Sequence, residues 1–393
     1  MQQYNFDQII DRAGTDSVKC DALNEYFGRP DLIPLWVADM DFAACPAVTQ
    51  ALGERMAHAI YGYTMATDRF WQSIIDWNHK RHGFDFTRDE VTYVPGIVTG
   101  FGLVVSHFTR PGDKVVIQEP VYHPFKNVIK GNGRRVLNNP LLTTADGFYA
   151  MDLEGLEHIF ATEQPRMMVL CNPHNPIGIV WDADTLRKVA RLARKYGVTV
   201  FSDEIHCDLT VYGNVHHPFA SVSDDAAAVA VSMGAPSKTF NIAGIKSSWC
   251  VVKNPELRRP FFTWLETNEL CSPSLVASTA TLAAYEHGSE WLDECLAYIQ
   301  GNIDFVHDYC RDHIPGIVAV KPQASFLVWL DCSGLGLAHE RVVDLFVNKA
   351  LLALNDGTMF GQGGEQHMRL NVAVPRSILE KAMSQLCDAV KNL

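Results

Sequence analysis

The chain has 393 residues, 47% of them hydrophobic and 20% charged, with a formal net charge of −12. This is the composition of a folded globular protein, long enough to bury a large core in two or three units. Its acidity argues against nucleic acid or an anionic membrane as the main partner, while leaving room for one basic pocket that takes a small anion.

The N-terminal stretch, residues 1–12, is polar, with Asp7 and Asp11, and lacks the basic start and apolar run of a signal peptide. No apolar run approaches the roughly 20 residues needed to span a bilayer. The ten cysteines form no CxxC pair, so neither a zinc site nor a disulfide framework is indicated. Free thiols in a reducing, cytoplasmic setting are expected. Residues 1–47 have no core of their own and should pack on a smaller domain.

From residue 48 to about 288 the pattern is that of a large domain. Pro95-Gly96-Ile97-Val98 opens a helical pattern that runs to about Phe108. The apolar runs Lys114–Gln118, Arg166–Cys171, Val198–Ser202, Ala227–Met233 and Ser248–Val252 read as buried strands, with little polar alternation. Such runs suit a mostly parallel sheet covered on both faces, hence an α/β architecture. Between them, Asp182–Tyr196 has a cap at Asp182, an apolar face of Leu186, Val189, Ala190 and Ala193, and a stop at Gly197. Residues 289–393 differ. Helical patterns over Ser289–His313, Arg341–Lys349 and Arg376–Asn392 alternate with strand-like Ala324–Leu330 and His367–Val372. Together with residues 1–47 they should form a smaller α+β domain.

Several residues at the ends of these strands could carry chemistry. Lys238, in Ser237-Lys238-Thr239-Phe240, follows the strand that ends near Met233. A lysine beside a second cation loses basicity and can attack an aldehyde, and Lys246 could supply that cation or bind phosphate. Asp203, in Asp203-Glu204-Ile205-His206, stands at the carboxyl end of a strand, where α/β folds bind ligands. A carboxylate there can keep a ring nitrogen protonated; it can equally cap the next segment. Asn175 lies in the rigid turn Asn172-Pro173-His174-Asn175-Pro176-Ile177-Gly178 and could donate to a ring oxygen. The helix start at Gly96, Ile97 and Val98 offers N–H groups to a phosphate. Tyr122, in Glu119-Pro120-Val121-Tyr122-His123-Pro124, can stack on a flat heterocycle or pack in a core. The turn Tyr61-Gly62-Tyr63 could present a phenol to a phosphate, or its rings could simply pack in the core or on the surface. Arg369, within the strand-like run Met368–Val372, can bind a carboxylate bidentately. His216-His217 and His206-Cys207-Asp208 have no recognised metal spacing, and there is neither an HExxH nor a GxSxG motif. No metal is expected.

Taken in order, these positions resemble the fold-type I pyridoxal 5′-phosphate (PLP) enzymes of the class I/II aminotransferase superfamily. The blocks PLWVADMDF, YGY, EPVYHPF, CNPHNPIG, SDEIHCDL, SKTFNIAGI and MRLNVAVPR, from Pro34 to Arg376, look like those of the MalY/PatB cystathionine β-lyase (C–S lyase) group. The resemblance implies that Lys238 holds PLP as a Schiff base and removes the substrate Cα proton. It implies that Asp203 faces the pyridine nitrogen, Asn175 the ring oxygen and Tyr122 the ring face. Ser237 and the Gly96–Val98 turn would hold phosphate. Arg369, with Asn175 and Trp36 nearby, would bind the amino-acid substrate. It also implies a homodimer with active sites at the subunit interface, where Tyr61 reaches the phosphate of the neighbouring subunit. His206 replaces the tyrosine, and Lys246 the phosphate-binding arginine, of many aminotransferases. The implied reaction is α,β-elimination from cystathionine or a related sulfur amino acid, giving a thiol, pyruvate and ammonia. Aminotransferase activity, and a PLP-binding regulatory protein with little turnover, are the alternatives. Substrate choice would lie in the pocket walls near Trp36 and the loop after Leu270.

Overall fold

A computed structural model describes residues 4–144 and 147–393; residues 1–3 of the polar N-terminal stretch and residues 145–146 lie outside the described residues. A seven-stranded sheet forms the centre. In chain order its strands are β1 (Val91–Val94), β2 (Lys114–Ile117), β3 (Arg135–Asn138), β4 (Met167–Cys171), β5 (Thr199–Asp203), β6 (Ala230–Gly234) and β7 (Ser248–Val251). Their spatial order is β1-β7-β6-β5-β4-β2-β3. The pairs from β6 to β3 are parallel, whereas β7 runs antiparallel to both its neighbours. The run Ser248–Val252 is therefore the exception to the parallel pattern.

Successive side chains enter opposite apolar clusters. Val116, Met168, Leu170 and Val200 point into one, and Val115, Ile117, Met167, Val169 and Phe201 into the other. Both faces are covered, which is why these strands read as unbroken apolar runs. The helix Ala183–Tyr196 covers one face, with Asp182 accepting the Thr185 N–H and Gly197 left-handed at its end. β6 begins three residues later than the sequence pattern suggests. Ser223 accepts the Ala226 N–H and starts a short helix, Asp224–Val229, whose alanines favour it over strand.

The C-terminal part carries a four-stranded antiparallel sheet of β8 (Val318–Val320), β9 (Leu327–Asp331), β10 (Asn355–Asp356) and β11 (His367–Asn371), in the order β8-β9-β11-β10. β9 starts only at Leu327, because the residues before it are used elsewhere. The N–H groups of Gln323 and Ala324 donate to the Gly178 carbonyl, and that of Ser325 donates to Leu209. The expected helix over Arg341–Lys349 begins at His339 and gives way after Asp344 to a π-turn, Leu345–Lys349. The N-terminal segment reaches this part of the fold. Ile33–Pro34 pairs in parallel with Leu352–Ala353, and the Asn371 N–H donates to the Leu35 carbonyl. Among the described residues no helix is long and apolar enough to cross a membrane.

Gly178 makes one of the tightest joints between the two parts. Its φ is +78°, and a Cβ there would lie 2.4 Å from Pro322 Cβ and 2.7 Å from the Ala324 carbonyl oxygen. Gly178→Ala should cost about 2–4 kcal/mol through combined backbone strain and overlap. Denaturant unfolding measures this, and an unchanged midpoint would mean that the 322–324 loop moves aside freely.

Candidate active site

The parallel strands all deliver their carboxyl ends to one edge, and the chemistry sits there. Gly96 follows β1, Tyr122 follows β2, Asn175 follows β4, Asp203 ends β5, and Lys238 follows β6 on the one-turn helix Pro236–Thr239. Arg369 comes from β11 of the other sheet, opposite Trp329 and Asn355. A cavity of about 340 Å³ is lined by Lys238, Asp203, Asn175, Tyr122, Arg369, His206, Trp36, Ile97 and Val98 among others. Nine of the sequence-selected residues thus meet.

Four others do not line it. Gly96 and Ser237 sit immediately before lining residues. Lys246 is exposed, with φ +54°, and a Cβ on Gly96 would be 3.9 Å from its own Cβ, so it flanks the helix start. Tyr61 is 63% exposed and donates to its own chain's Met56 carbonyl at 2.9 Å. The loop after Leu270 contributes no lining residue; Leu270 and Cys271 pack against the apolar cluster beneath the sheet.

Burial shapes every charge in the cavity. The Lys238 amine falls to about 8, chiefly by desolvation and also by the nearby Arg369, against the opposite pull of Asp39 and Asp203. The second cation is therefore Arg369, not Lys246 as the sequence spacing suggested. Burial lifts the Asp203 carboxyl to about 7, although the Ile205 N–H bonded to its Oδ1 at 3.1 Å and the Lys238 charge pull it down. His206 is pushed down to about 3 by desolvation, Lys238 and Arg369, so its ring is neutral. Among the described residues its buried Nδ1 has no hydrogen-bond partner.

Arg369 is 4% exposed, and burial lowers it to about 10. Its Nη1 donates to Asn175 Oδ1 at 2.9 Å, and its Nη2 to the Trp36 carbonyl at 3.1 Å and to Asn355 Oδ1 at 2.6 Å. The Nε has no partner. Every acceptor is neutral, so among the described residues this buried cation has no carboxylate.

Sequence reasoning missed the strap that closes the site. Residues 36–42 run past the cavity as a series of bends, with Trp36, Val37 and Ala38 lining it. The Lys238 amine donates to the Ala38 carbonyl. Asn371 Nδ2 donates to the carbonyls of Val37 and Asp39, at 2.7 and 2.6 Å. Asn241 accepts the Met40 N–H and donates to the carbonyls of Met40 and Phe42. Asp39 and Asp41 are held from outside by Arg12 and by the fully buried Lys19. The asparagines inside SKTFNIAG and MRLNV were the available signal. Asn355, also lining the cavity, stands in no pattern that marks it, and His123 lies beside Tyr122 in the EPVYHPF block.

The sequence pattern of the aminotransferase class I and II family matches residues 30–386. The chain belongs to that family. Cystathionine beta-lyase PatB of Bacillus subtilis is 43% identical over 98% of this chain and 100% of its own length. The crystal structure of cystalysin from Treponema denticola, which contains a PLP cofactor, superposes with a TM-score of 0.95 at 32% identity, covering 99% of both chains. The PLP-bound C–S lyase from Staphylococcus hominis gives 0.91 at 31% identity over 98% of both. The fold is fold-type I, with a mostly parallel sheet between helices and a second, smaller sheet.

The electrostatics give a direct test. In cofactor-free protein, acylation of Lys238 should rise with pH about a midpoint near 8 rather than the ordinary lysine value of 10.5, because the neutral amine is the nucleophile. Arg369→Gln removes a charge that lowers the amine, so the midpoint should move upward. Peptide mapping of the acylated lysine measures it; a midpoint unmoved by the substitution would refute the coupling.

Proposed function

We propose that the protein is a PLP-dependent carbon–sulfur β-lyase that cleaves L-cystathionine or a related sulfur amino acid by α,β-elimination. The products are a thiol (homocysteine, or sulfide from cysteine), pyruvate and ammonia. The observation that carries this reading is Arg369, a buried guanidinium with only neutral acceptors, across one cavity from a lysine of reduced basicity. A buried cation of this kind calls for an anion, and an amino-acid carboxylate matches its fork. The lyase names of the similar proteins supply the reaction class.

PLP fits the donor set. Lys238 has the amine for its aldehyde, and Asp203 has a carboxyl raised by burial that a ring N–H would satisfy. Asn175 spends its oxygen on Arg369, which leaves its amide N–H groups for the ring oxygen. Tyr122 offers a ring face. The helix start at Gly96, Ile97 and Val98, with Ser237 and Lys246, offers phosphate donors. When bound, PLP supplies an electron sink for the charge left as the Cα proton departs.

The protein's own residues do the rest. Arg369, with Asn175 and Trp36 beside it, fixes the substrate carboxylate and so turns the Cα–H bond toward Lys238. Lys238, neutral above about pH 8, takes that proton at Nζ. Asp203, once ionised against a positive neighbour, stabilises charge opposite the reacting carbon. The strap over residues 36–42 keeps water from the cavity.

The same reading assigns residues 48–288 to a large PLP-binding domain, and residues 1–47 with 289–393 to a small one, supported by the pairing of Ile33–Pro34 with Leu352–Ala353. It includes a homodimer with sites at the subunit interface. Ile60, Tyr61, Tyr63 and Met65 are 67, 63, 113 and 76% exposed, an apolar segment that a second subunit would cover and from which Tyr61 of the partner subunit would reach phosphate. A cytoplasmic location agrees with ten free thiols.

Purified enzyme with cystathionine should form pyruvate with no keto-acid acceptor present; dependence on an acceptor would make it an aminotransferase. Arg369→Ala should lower kcat/KM by roughly 10²–10⁴-fold while the yellow cofactor band remains. Wild-type kcat/KM in that variant would put the carboxylate elsewhere. Asp203→Asn should cost at least about 10²-fold in kcat, as for loss of one well-placed electrostatic stabiliser. Near-normal turnover would free Asp203 of that role.

A further inference from the structure

We propose that Asp208 is a positioning residue for Lys238, acting through the hydroxyl of Thr239. Thr239 follows Lys238 on the helix Pro236–Thr239, which has four residues. A single helical turn has no cooperative stability of its own, so its orientation must come from outside ties. The Thr239 Oγ1 donates to Asp208 Oδ2 at 2.7 Å. Asp208 Oδ1 accepts from Trp77 Nε1 at 3.0 Å and pairs with His82 Nε2 at 2.7 Å. Thr239 is fully buried, and the Asp208 side chain is 1% exposed.

The ties join three separate elements. Trp77 and His82 lie on the helix Asp68–His82, and Asp208 lies in the turn Cys207–Leu209 just beyond Asp203. Burial alone would raise the Asp208 carboxyl. The hydrogen bonds from His82, Thr239 and Trp77 outweigh it and keep the group below the ordinary carboxylate range, hence anionic. A buried anion with directed donors on both oxygens is a stiff joint, since breaking any tie leaves charge poorly compensated.

The joint continues to Glu204. The His82 ring meets His216 edge-on, with centroids 5.4 Å apart. His216 Nε2 lies 3.0 Å from Glu204 Oε2, while Glu204 Oε1 accepts from Ser202 Oγ at 2.8 Å and from the Phe219 N–H at 3.0 Å. Glu204 follows Asp203. One buried network therefore grips the residue after the lysine and the residue after the ring-facing carboxyl. That fixes the separation of the two groups on which the proposed chemistry depends. The ligand atoms of His82, Cys207 and Asp208 also lie within 4.8 Å of one another. Asp208 already holds three hydrogen-bond partners across both of its oxygens, which is the arrangement the joint requires.

The inference rests on Lys238 being the cofactor lysine. Borohydride trapping and peptide mapping of the wild-type holoenzyme test that separately, since label on another lysine would overturn the assignment whatever Thr239 does. The joint itself is tested by Thr239→Val, which keeps shape and deletes the donor, beside Thr239→Ser, which keeps the donor. In the valine holoenzyme, kcat should fall about 10–100-fold, the order expected when a reacting group is displaced by up to about 1 Å, with KM within about twofold. The pH midpoint of the lysine-bound cofactor's visible absorbance should also move, and serine should restore both. Should the valine variant fail to fold, Thr239→Ala carries the same comparison. Wild-type kcat and absorbance midpoint in the donor-deleted variant would overturn the proposal, as would losses that serine does not restore.

Discussion

The guanidinium of Arg369 is the constraint around which the rest is arranged. It lies on β11, yet it bonds to Asn175 after β4, to Asn355 on β10 and to the Trp36 carbonyl in the N-terminal strap. Three distant stretches of chain therefore meet on one cation. Desolvating a guanidinium costs several kcal/mol even after relaxation. Neutral oxygens offset part of this, and an arriving carboxylate offsets more. Among the described residues, two buried nitrogens of the site, Nε of Arg369 and Nδ1 of His206, have no hydrogen-bond partner.

The parallel sheet explains how such a set is assembled from residues scattered over the sequence. Strands that run the same way end on the same edge, so β1, β2, β4, β5 and β6 each contribute the residue or turn that follows them. β7 can run antiparallel at no cost to the site, because it delivers no lining residue and serves to join β6 to β1. The smaller sheet needs to supply little more than Arg369 and Asn355. The N-terminal strap, clamped by Asn241 from one sheet's loops and Asn371 from the other sheet, closes the gap between them.

What could be read from sequence follows from which interactions are local. The strand runs, the Asp182 cap and the Gly197 stop depend on neighbours in the chain and were legible. So were Asn175, Asp203 and Lys238, because each follows a recognisable strand. The start of β6 was misplaced because Ser223 and three alanines make a helix that an apolar reading merges with the strand. The cation beside Lys238 was left open, with Lys246 as a candidate, for a different reason. Lys246 is near in sequence and Arg369 is far, and only the packing of one sheet against the other brings the distant charge close. The strap was invisible in the same way, since its grip is two asparagine side chains on backbone groups some 200 and 330 residues away.

Under the proposed function, the same electrostatic coupling would make the site respond to a substrate carboxylate at Arg369. Without a carboxylate, Arg369 stands as an uncompensated positive charge, and it depresses both Lys238 and His206. An arriving carboxylate neutralises that charge at short range, where the low local dielectric makes the change large. The downward push on Lys238 from Arg369 is then cancelled, while the upward pulls from Asp39 and Asp203 remain. In the proposed reaction the Lys238 amine would then be more basic when it takes the Cα proton. A lysine that is neutral enough to react with an aldehyde in the resting site, and a stronger base once substrate is clamped, meets two demands that a fixed basicity could not. The placement of Arg369, close enough to act on Lys238 yet bonded only to neutral oxygens, is what makes both possible.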